Sequence, residues 1–287
     1  MKPINVAVLI TCHNRKEYSL KCLNALYSQV GIDKVNMQVY LVDDGSMDGT
    51  GNAVHRLHPK VNVLQGNGSL FWSGGMRLAF TEAMKMKPDY YFWLNDDTFL
   101  HPNAIRFLLQ TAQEIMKREG VHNIIVGSSR DPVSGQHTYG GRIRKNKKRL
   151  LDFRPIVPTK DPQQCDMICG NCVLIPEKVV HILGNISSDF THSMGDTDYG
   201  LRANANGVRI WVAPGYLAEC SRGPLPLCFN PKMSLKKRLD HLRTPKGLLL
   251  RERIIFAKRH LGIRWPLYIF KLYMRVLFPN LWVRLGK

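Results

Sequence analysis

Residues 90–98 read Tyr90-Tyr91-Phe92-Trp93-Leu94-Asn95-Asp96-Asp97-Thr98, an apolar run that ends in an amide and two adjacent carboxylates. A short continuous apolar run is typical of a strand buried on both faces of a sheet. Adjacent carboxylates repel each other, so they stay ionised only when water, hydrogen-bond donors or a cation balances them. Because open α/β sheets bind ligands at the carboxyl ends of their strands, a divalent cation carrying a phosphate is one explanation. A cap for a helix near Pro102, or a turn, is the alternative.

Strand patterns alternate with helical patterns on both sides of this stretch. Buried strands are predicted at residues 6–11, 38–42, 61–64, 90–94, 123–127 and 208–213, and the apolar segment 165–176 is predicted to return to the sheet. Helices are predicted after residue 15, from about residue 48, and at residues 76–86, 102–118 and 199–206. This alternation predicts an α/β fold with one parallel sheet covered by helices on both faces. Residues 66–75 are predicted to form a glycine-rich loop, and residues 134–154 an exposed hairpin or loop.

The net charge of +19 is concentrated in two patches. Between residues 232 and 287 there are 15 Lys and Arg against 2 acidic residues. The second patch consists of Arg142, Arg144, Lys145, Lys147, Lys148 and Arg149. Patches of this kind favour phosphate-rich partners, namely an anionic membrane face, a lipid-linked phosphate or a nucleic acid.

The composition changes near residue 222, which divides the chain into a predicted catalytic domain (1–222) and a basic, helical C-terminal extension (223–287). Within residues 264–278, Lys271 and Arg275 are four apart and apolar residues fill most of the remaining circumference. This pattern predicts a helix lying in a membrane interface. A helix packed on the catalytic domain, with its cations in water, is the alternative.

Two further features bear on location. The chain has no apolar run of the roughly 20 residues that a membrane span needs, and its start lacks a signal-peptide pattern, so a cytoplasmic protein is expected. The 7 cysteines are mostly scattered and are predicted to be reduced core thiols. Cys169 and Cys172 match a CxxC pattern, but no second pair stands at zinc spacing.

Acidic residues recur after predicted strands or at helix starts. They are Asp43, Asp44, Asp96, Asp97, Asp196 and Asp198. Because the carboxyl ends of parallel strands share one edge of a sheet, these side chains are expected to meet in one crevice. Neither a Walker loop nor the dinucleotide glycine spacing follows the first strand, so a nucleotide would be held differently.

Four motifs stand in an order that resembles a known family. Residues 10–15 (ITCHNR) look like a T-x-x-N-R turn, and residues 42–50 (VDDGSMDGT) are similar to VDDGSxDGT. Residues 94–98 (LNDDT) look like an acidic metal motif, and residues 195–203 (GDTDYGLRA) resemble EDxDLxxRA. Together these motifs resemble the inverting glycosyltransferases of family 2, in particular the rhamnosyltransferase-like members that build bacterial surface polysaccharides. Covering residues 6–214, the resemblance implies a GT-A nucleotide-binding fold with a mostly parallel central sheet.

The resemblance also implies a role for individual residues. Donor binding is implied for Thr11, Asn14, Arg15, Asp43, Asp44, Gly66, Asn67, Gly68, Gly74, Arg77, Asn95 and Asp96. A Mg²⁺ or Mn²⁺ ion is implied on Asp97 with Asp96, and Asp196 is the implied base. Acceptor or sugar contacts are expected from Trp72, Gly170, Asn171, His192 and Asp198. For Trp72 the alternative is a core position, for His192 a plain loop position, and for Asp198 either the base or an N-cap of the helix at Tyr199.

Two positions depart from the family pattern. Asn95 stands where the first carboxylate of the metal motif is expected, and Gly195 stands where the Glu of the base motif is expected. The first departure bears on metal dependence. The second leaves Asp196 as the candidate base.

The expected activity is inverting transfer of a hexose or deoxyhexose from a nucleotide-sugar to a lipid-linked saccharide in surface polysaccharide synthesis. Such a transfer needs a carboxylate that takes the acceptor proton and a cation that balances the leaving diphosphate. We expect the protein to be peripheral on the inner face of the cell membrane, and a homo-oligomer is left open.

Two other functions are weighed against this one. A sugar nucleotidyltransferase is disfavoured because no Lys-bearing glycine turn follows the first strand. A nucleic-acid-binding protein would use the basic tail, but the aromatic residues among its cations are more typical of an interface anchor. No nucleic-acid partner is therefore expected.

Overall fold

The computed structural model describes residues 2–146, 151–224 and 226–284. Of the second basic patch, Lys147, Lys148 and Arg149 lie outside these residues. The strands are β1 (Ile4–Cys12), β2 (Val35–Asp43), β3 (Asn62–Gln65), β4 (Tyr90–Leu94), β5 (Phe99–Leu100), β6 (Ile124–Arg130), β7 (His137–Tyr139), β8 (Arg142–Arg144), β9 (Phe153–Pro155), β10 (Gln163–Cys165), β11 (Cys172–Pro176) and β12 (Ile210–Glu219). The helices are α1 (Lys16–Tyr27), α2 (Thr50–Leu57), α3 (Phe71–Met84), α4 (Ala104–Glu119), α5 (Glu177–Leu183), α6 (Gly195–Ala205), α7 (Leu235–His241), α8 (Leu250–Leu261), α9 (Trp265–Leu277) and α10 (Pro279–Arg284).

One large sheet organises the chain, with strand order β10-β12-β6-β11-β4-β1-β2-β3. The strands β4, β1, β2 and β3 are parallel neighbours, and β6 is parallel to β12. Between these two groups β11 is inserted antiparallel to both β4 and β6. The carboxyl ends of β1, β2 and β4 therefore lie side by side, as the sequence predicted. The α/β class and the mostly parallel central sheet are confirmed.

Both faces of the sheet are buried, which explains the unbroken apolar strands. Along β1, Val6, Val8 and Ile10 pack with α1 and α4 on one face. Ala7 and Leu9 alternate with them and pack with α3, α5 and α6 on the other face. Strand side chains alternate between faces, so a strand covered on both sides carries apolar residues at every position.

Several predicted boundaries differ from the structure. The helix α3 begins at Phe71, so the second half of the predicted loop at residues 66–75 is helical. The helix α6 begins at Gly195 rather than at residue 199. The strand β12 continues past Pro214, where the sequence predicted a stop, because the register with β6 shifts there and a bulge accommodates the missing N–H. The apolar segment 165–176, predicted to return to the sheet, contains the end of β10 and the whole of β11, joined by a loop that carries Cys169.

The C-terminal extension is helical, as predicted. Its helices enclose a small apolar cluster of their own around Cys228, Leu242, Leu248 and Val276. The helix α8 also packs on residues that come before the extension. Its Phe256 lies against Phe190 and Leu201. No helix among the described residues is long and apolar enough to cross a bilayer. The boundary at residue 222 stays a prediction.

Candidate active site

A cavity of about 870 Å³ opens at the carboxyl ends of β1, β2 and β4. The predicted site residues that line it are Thr11, Arg15, Asp44, Gly68, Trp72, Asn95, Asp96, Asp97, Gly170, Asn171, His192 and Asp196. Residues more than 180 positions apart in sequence thus meet in one place. Of the six acidic residues expected to meet in one crevice, Asp44, Asp96, Asp97 and Asp196 line this cavity.

Asp44 holds the glycine-rich loop against the end of β2. Its carboxylate accepts hydrogen bonds from the backbone N–H of Gly68 at 2.8 Å and of Phe71 at 2.9 Å. A Cβ on Gly66 would overlap the Asp44 backbone and carboxylate, so only glycine fits there. The loop and the first turn of α3 are therefore fixed relative to the sheet edge.

Two predicted donor-binding residues brace this edge from outside the cavity lining. The buried carboxylate of Asp43 accepts from Ser46 N at 3.0 Å and from Gly51 N at 2.9 Å, which ties β2 to the start of α2. The Asn14 side chain accepts from Met47 N at 2.7 Å. The side chains of Asp43 and Asn14 thus bind the backbone of the loop after β2 and the start of α2, so they brace the cavity without lining it.

The other donor-binding candidates outside the lining are Gly66, Asn67, Gly74 and Arg77. Asn67 is exposed and its side chain bonds Ser69. Gly74 is buried inside α3. Arg77 was expected to bind the donor, but its guanidinium donates to the carbonyls of Ser187 and Phe190 and braces that loop instead.

Arg15 lies between the two carboxylates that follow β4. Its Nη1 donates to Asp96 Oδ1 at 2.9 Å and to Asp97 Oδ2 at 2.8 Å. Asp96 is only 5% exposed, and burial raises its pKa to about 7 although Arg15 opposes the shift. Neither carboxylate caps a helix, since β5 intervenes and α4 begins only at Ala104. The capping alternative is therefore wrong for both.

Asn95 is explained by its neighbour Trp72. The indole Nε1 donates to Asn95 Oδ1 at 2.7 Å, and the Trp72 ring packs edge-on against Trp93 at 6.0 Å. A Cβ on Gly170 would overlap this indole ring. Trp72 is thus both a core contact and part of the cavity wall, and the amide at position 95 serves to orient it.

Asp196 lies in the first turn of α6 and borders the cavity. Its Oδ2 accepts from Gly170 N at 3.0 Å, and its Oδ1 accepts from Thr197 N at 2.7 Å. Burial raises the pKa of Asp196 above its ordinary value, and these backbone donors oppose the shift only in part. Gly195 precedes it because a Cβ there would overlap Ser73 Oγ. The glycine in place of the family Glu therefore lets α6 approach α3 closely.

Asp198, expected as an alternative base, N-cap or acceptor contact, is fully buried away from the cavity lining. Its carboxylate binds Arg202 Nε at 2.9 Å, Arg259 Nη1 at 2.7 Å and His260 Nε2 at 2.8 Å. Burial alone would raise the pKa of Asp198, but these hydrogen bonds hold it below its ordinary value. It cannot cap α6, which begins three residues earlier. Asp198 instead anchors α8 to α6.

The sequence model described as "Glycosyl transferase family 2" matches residues 7–182, well over half of the chain. The chain belongs to glycosyl transferase family 2. Membership in this family favours a glycosyltransferase over the nucleotidyltransferase and nucleic-acid-binding alternatives. No curated protein sequence matches the chain significantly.

Solved structures agree on the fold. The chain is similar to S. aureus TarS residues 1–349 at 16% identity and a TM-score of 0.53, covering 77% of this chain and 60% of that one. The same TarS fragment in complex with UDP-GlcNAc gives 16% identity and a TM-score of 0.55 over 93% and 73% of the two chains. A third TarS structure gives 14% identity and a TM-score of 0.55, covering 92% of this chain and 50% of that one. At these identities the likeness establishes a shared fold.

The fit of a divalent cation to this site can be judged from the carboxylates Asp96 and Asp97. No cluster of three or more His, Cys, Asp or Glu side chains that could hold a metal occurs within residues 2–146, 151–224 and 226–284. Asp96 Oδ2, however, is buried and has no hydrogen-bond partner in this described part. Mg²⁺ characteristically binds through one or two carboxylates together with substrate phosphates and water. Asp96 and Asp97 fit that arrangement.

Sequence reasoning missed residues contributed by distant segments. Tyr139, Met194, Lys246 and Arg253 line the same cavity. Lys246 and Arg253 belong to the C-terminal extension, where they are two of many cations and carry no motif. The packing of α8 against the loop of residues 187–194 and the first turn of α6 brings them to the site.

Proposed function

We propose that the chain transfers a hexose or deoxyhexose from a nucleotide-sugar, with inversion, to a hydroxyl of a lipid-linked saccharide in surface polysaccharide synthesis. The observation that carries this proposal is the presence of Asp196 in one cavity with the paired carboxylates Asp96 and Asp97. Asp196 can serve as the base, and the carboxylates of Asp96 and Asp97 can face the leaving diphosphate. Family 2 membership and the TarS fold support the same reaction class.

In this reaction Asp196 takes the proton from the acceptor hydroxyl as its oxygen attacks the anomeric carbon. The bond between that carbon and the diphosphate oxygen breaks at the opposite face of the sugar. A Mg²⁺ or Mn²⁺ ion held by Asp97 and Asp96 would balance the charge that develops on the leaving diphosphate. Arg15 keeps the two carboxylates together until the donor arrives, and Trp72 forms a flat wall for the sugar.

The donor nucleotide is the first question to test. A TarS structure contains UDP-GlcNAc, which makes UDP-sugars the first donors to try. The experiment measures release of nucleoside diphosphate from a panel of nucleotide-sugars, with and without Mn²⁺. We expect one donor class to be hydrolysed, Mn²⁺ to increase the rate, and Asp97→Asn to remove that increase. The exposed Asp33→Asn is the matched control. If no nucleotide-sugar binds or reacts, the proposed function is wrong.

We place the protein at the cytoplasmic face of the membrane, held there by α9. This helix exposes Leu267, Phe270 and Leu277, at 48%, 60% and 38%. Lys271 lies in the same stretch, which complements an anionic lipid surface. The opposite side, with Leu272 and Tyr273, packs against the apolar cluster of the extension. The helix therefore has one side packed within the extension itself and one uncovered side, and the uncovered side supports the placement.

Co-sedimentation with vesicles of phosphatidylglycerol and phosphatidylcholine tests this placement. The double variant Leu267→Gln with Phe270→Gln should lose most of its binding. The control is Met47→Gln with Val133→Gln, two residues that are 92% and 94% exposed elsewhere. Unchanged binding contradicts the proposal, and a loss of molecular mass in light scattering would show that a second copy covers this face instead.

A further inference from the structure

The cavity receives two cations from the C-terminal extension. Lys246 comes from the turn between α7 and α8, and Arg253 comes from the first turns of α8. The turn is tightly fixed, because a Cβ on Gly247 would overlap the His241 carbonyl and Gly247 N donates to Thr244 O at 2.9 Å. Lys246 is therefore presented to the cavity by a defined backbone.

Within the described parts of the chain, no carboxylate lies within ion-pair distance of Lys246 or Arg253. Arg253 donates to neutral atoms, the Met194 sulfur at 3.4 Å and the Tyr268 hydroxyl at 3.2 Å. The third cation of the lining, Arg15, is already held by Asp96 and Asp97.

Both cations lie on the Asp196 side of the cavity. Arg253 contacts Met194, two residues before Asp196. Lys246 is close enough to His192 to add to the effect of burial in lowering the pKa of that imidazole. The helix α8 is held at this position by buried Glu252, whose Oε1 accepts from Thr191 N at 3.1 Å.

We infer that Lys246 and Arg253 form a phosphate-binding pair that holds a phosphate group in the cavity beside Asp196. The inference rests on the proposed function, since that supplies two sources of phosphate, the donor diphosphate and a phosphate carried by the acceptor. A phosphate among the carboxylates Asp44 and Asp196 would be repelled without such cations. Charge-assisted hydrogen bonds to phosphate are among the stronger polar contacts. The pair therefore gives the extension a role in substrate binding.

The test uses the full chain and four probes: uridine, UDP, inorganic phosphate and inorganic pyrophosphate. Binding is measured by calorimetry for the wild type and for Lys246→Gln with Arg253→Gln. The matched control is Lys236→Gln with Arg251→Gln, which removes the same charge from two exposed residues of α7 and α8 outside the cavity lining. We expect the cavity variant to lose pyrophosphate affinity by about tenfold or more, as expected for lost charge-assisted contacts, and the control to keep it.

The source of the phosphate follows from two further measurements. If UDP affinity falls with that of pyrophosphate while uridine affinity is unchanged, the pair binds the donor diphosphate. If UDP affinity and donor hydrolysis persist, but phosphate or pyrophosphate no longer binds to the UDP-saturated protein, the pair binds the acceptor.

Equal phosphate and pyrophosphate affinities in the cavity variant and the control would overturn the inference. A wild type that binds pyrophosphate through these residues but hydrolyses no nucleotide-sugar would refute the proposed function and leave the phosphate pair standing. Circular dichroism of both variants shows that each is folded.

Discussion

The two halves of the cavity are built in different ways. The donor half, with Arg15, Asp44 and Asp96, is assembled from the ends of adjacent parallel strands. The base half, with Asp196 and Arg253, is assembled from a loop, a helix start and the C-terminal extension. The first half follows directly from the sheet topology. The second depends on packing between segments that are far apart in sequence.

The contacts of α8 show how much the base half depends on distant packing. Glu252 binds the backbone at Thr191, while Arg259 binds both Asp189 and Asp198. The loop before Asp196 is thereby held by a helix that comes more than 50 residues later. The donor half has its hydrogen bonds within residues 11–97 for the most part. The two halves should therefore respond separately to mutation.

The largest expected effect is the loss of transfer in Asp196→Asn. An amide cannot take the acceptor proton, and general base catalysis contributes about 10²–10⁴-fold to the rate. Donor affinity should stay within about twofold, because the donor half is untouched. Steady-state kinetics and calorimetry with the identified donor measure the two quantities. Retained turnover would remove Asp196 from the role of base.

Asp198→Asn should instead act on stability. The substitution leaves Arg202, Arg259 and His260 without the carboxylate that compensates them, and breaking a buried ion pair costs about 3–5 kcal/mol. Chemical denaturation followed by circular dichroism measures the free energy of unfolding. The control is Asp189→Asn, which removes a partner of the same Arg259 at a carboxylate that is 35% exposed, so about 1 kcal/mol or less is expected. Equal effects for both variants would show that α8 is not anchored through Asp198.

The same division explains what the sequence could predict. The strands around Val8 and Phe92 could be predicted, because a strand buried on both faces needs an unbroken apolar run. The acidic residues that follow these strands indicated the sheet edge that binds ligands. The role of Asp198 was not visible, since its partners Arg259 and His260 lie in a segment whose charge indicated phosphate-rich partners rather than an internal ion pair. The contacts of Arg77 could not be predicted for a similar reason. Its partners are backbone carbonyls, which a sequence pattern does not identify.

A smaller effect is expected in the donor half from Gly75→Ala. The added Cβ would overlap Thr11 Oγ1 and lie 2.8 Å from Thr11 Cβ, so α3 would be pushed away from β1. Overpacking of this kind costs about 1–3 kcal/mol. Gly74→Ala is the matched neighbour, since its Cβ would meet only side-chain atoms and none closer than 3.2 Å. We expect Gly75→Ala to raise the KM for the donor more than Gly74→Ala does. If only the KM for the acceptor changed, the assignment of this half of the cavity to the donor would be contradicted.

The smallest effect is the acid limb of the pH–rate profile. Asp196 accepts a proton only when ionised, and burial raises its pKa above the ordinary value of 3.8. Lowering the pH through that raised pKa therefore protonates the base and slows transfer, by about tenfold for each pH unit below it. The profile is measured at saturating donor, with donor affinity followed over the same range. A fall in kcat at saturating donor would assign the limb to the base half, whereas a fall confined to donor affinity would assign the titrating group to the donor half, where burial raises the pKa of Asp96 to about 7.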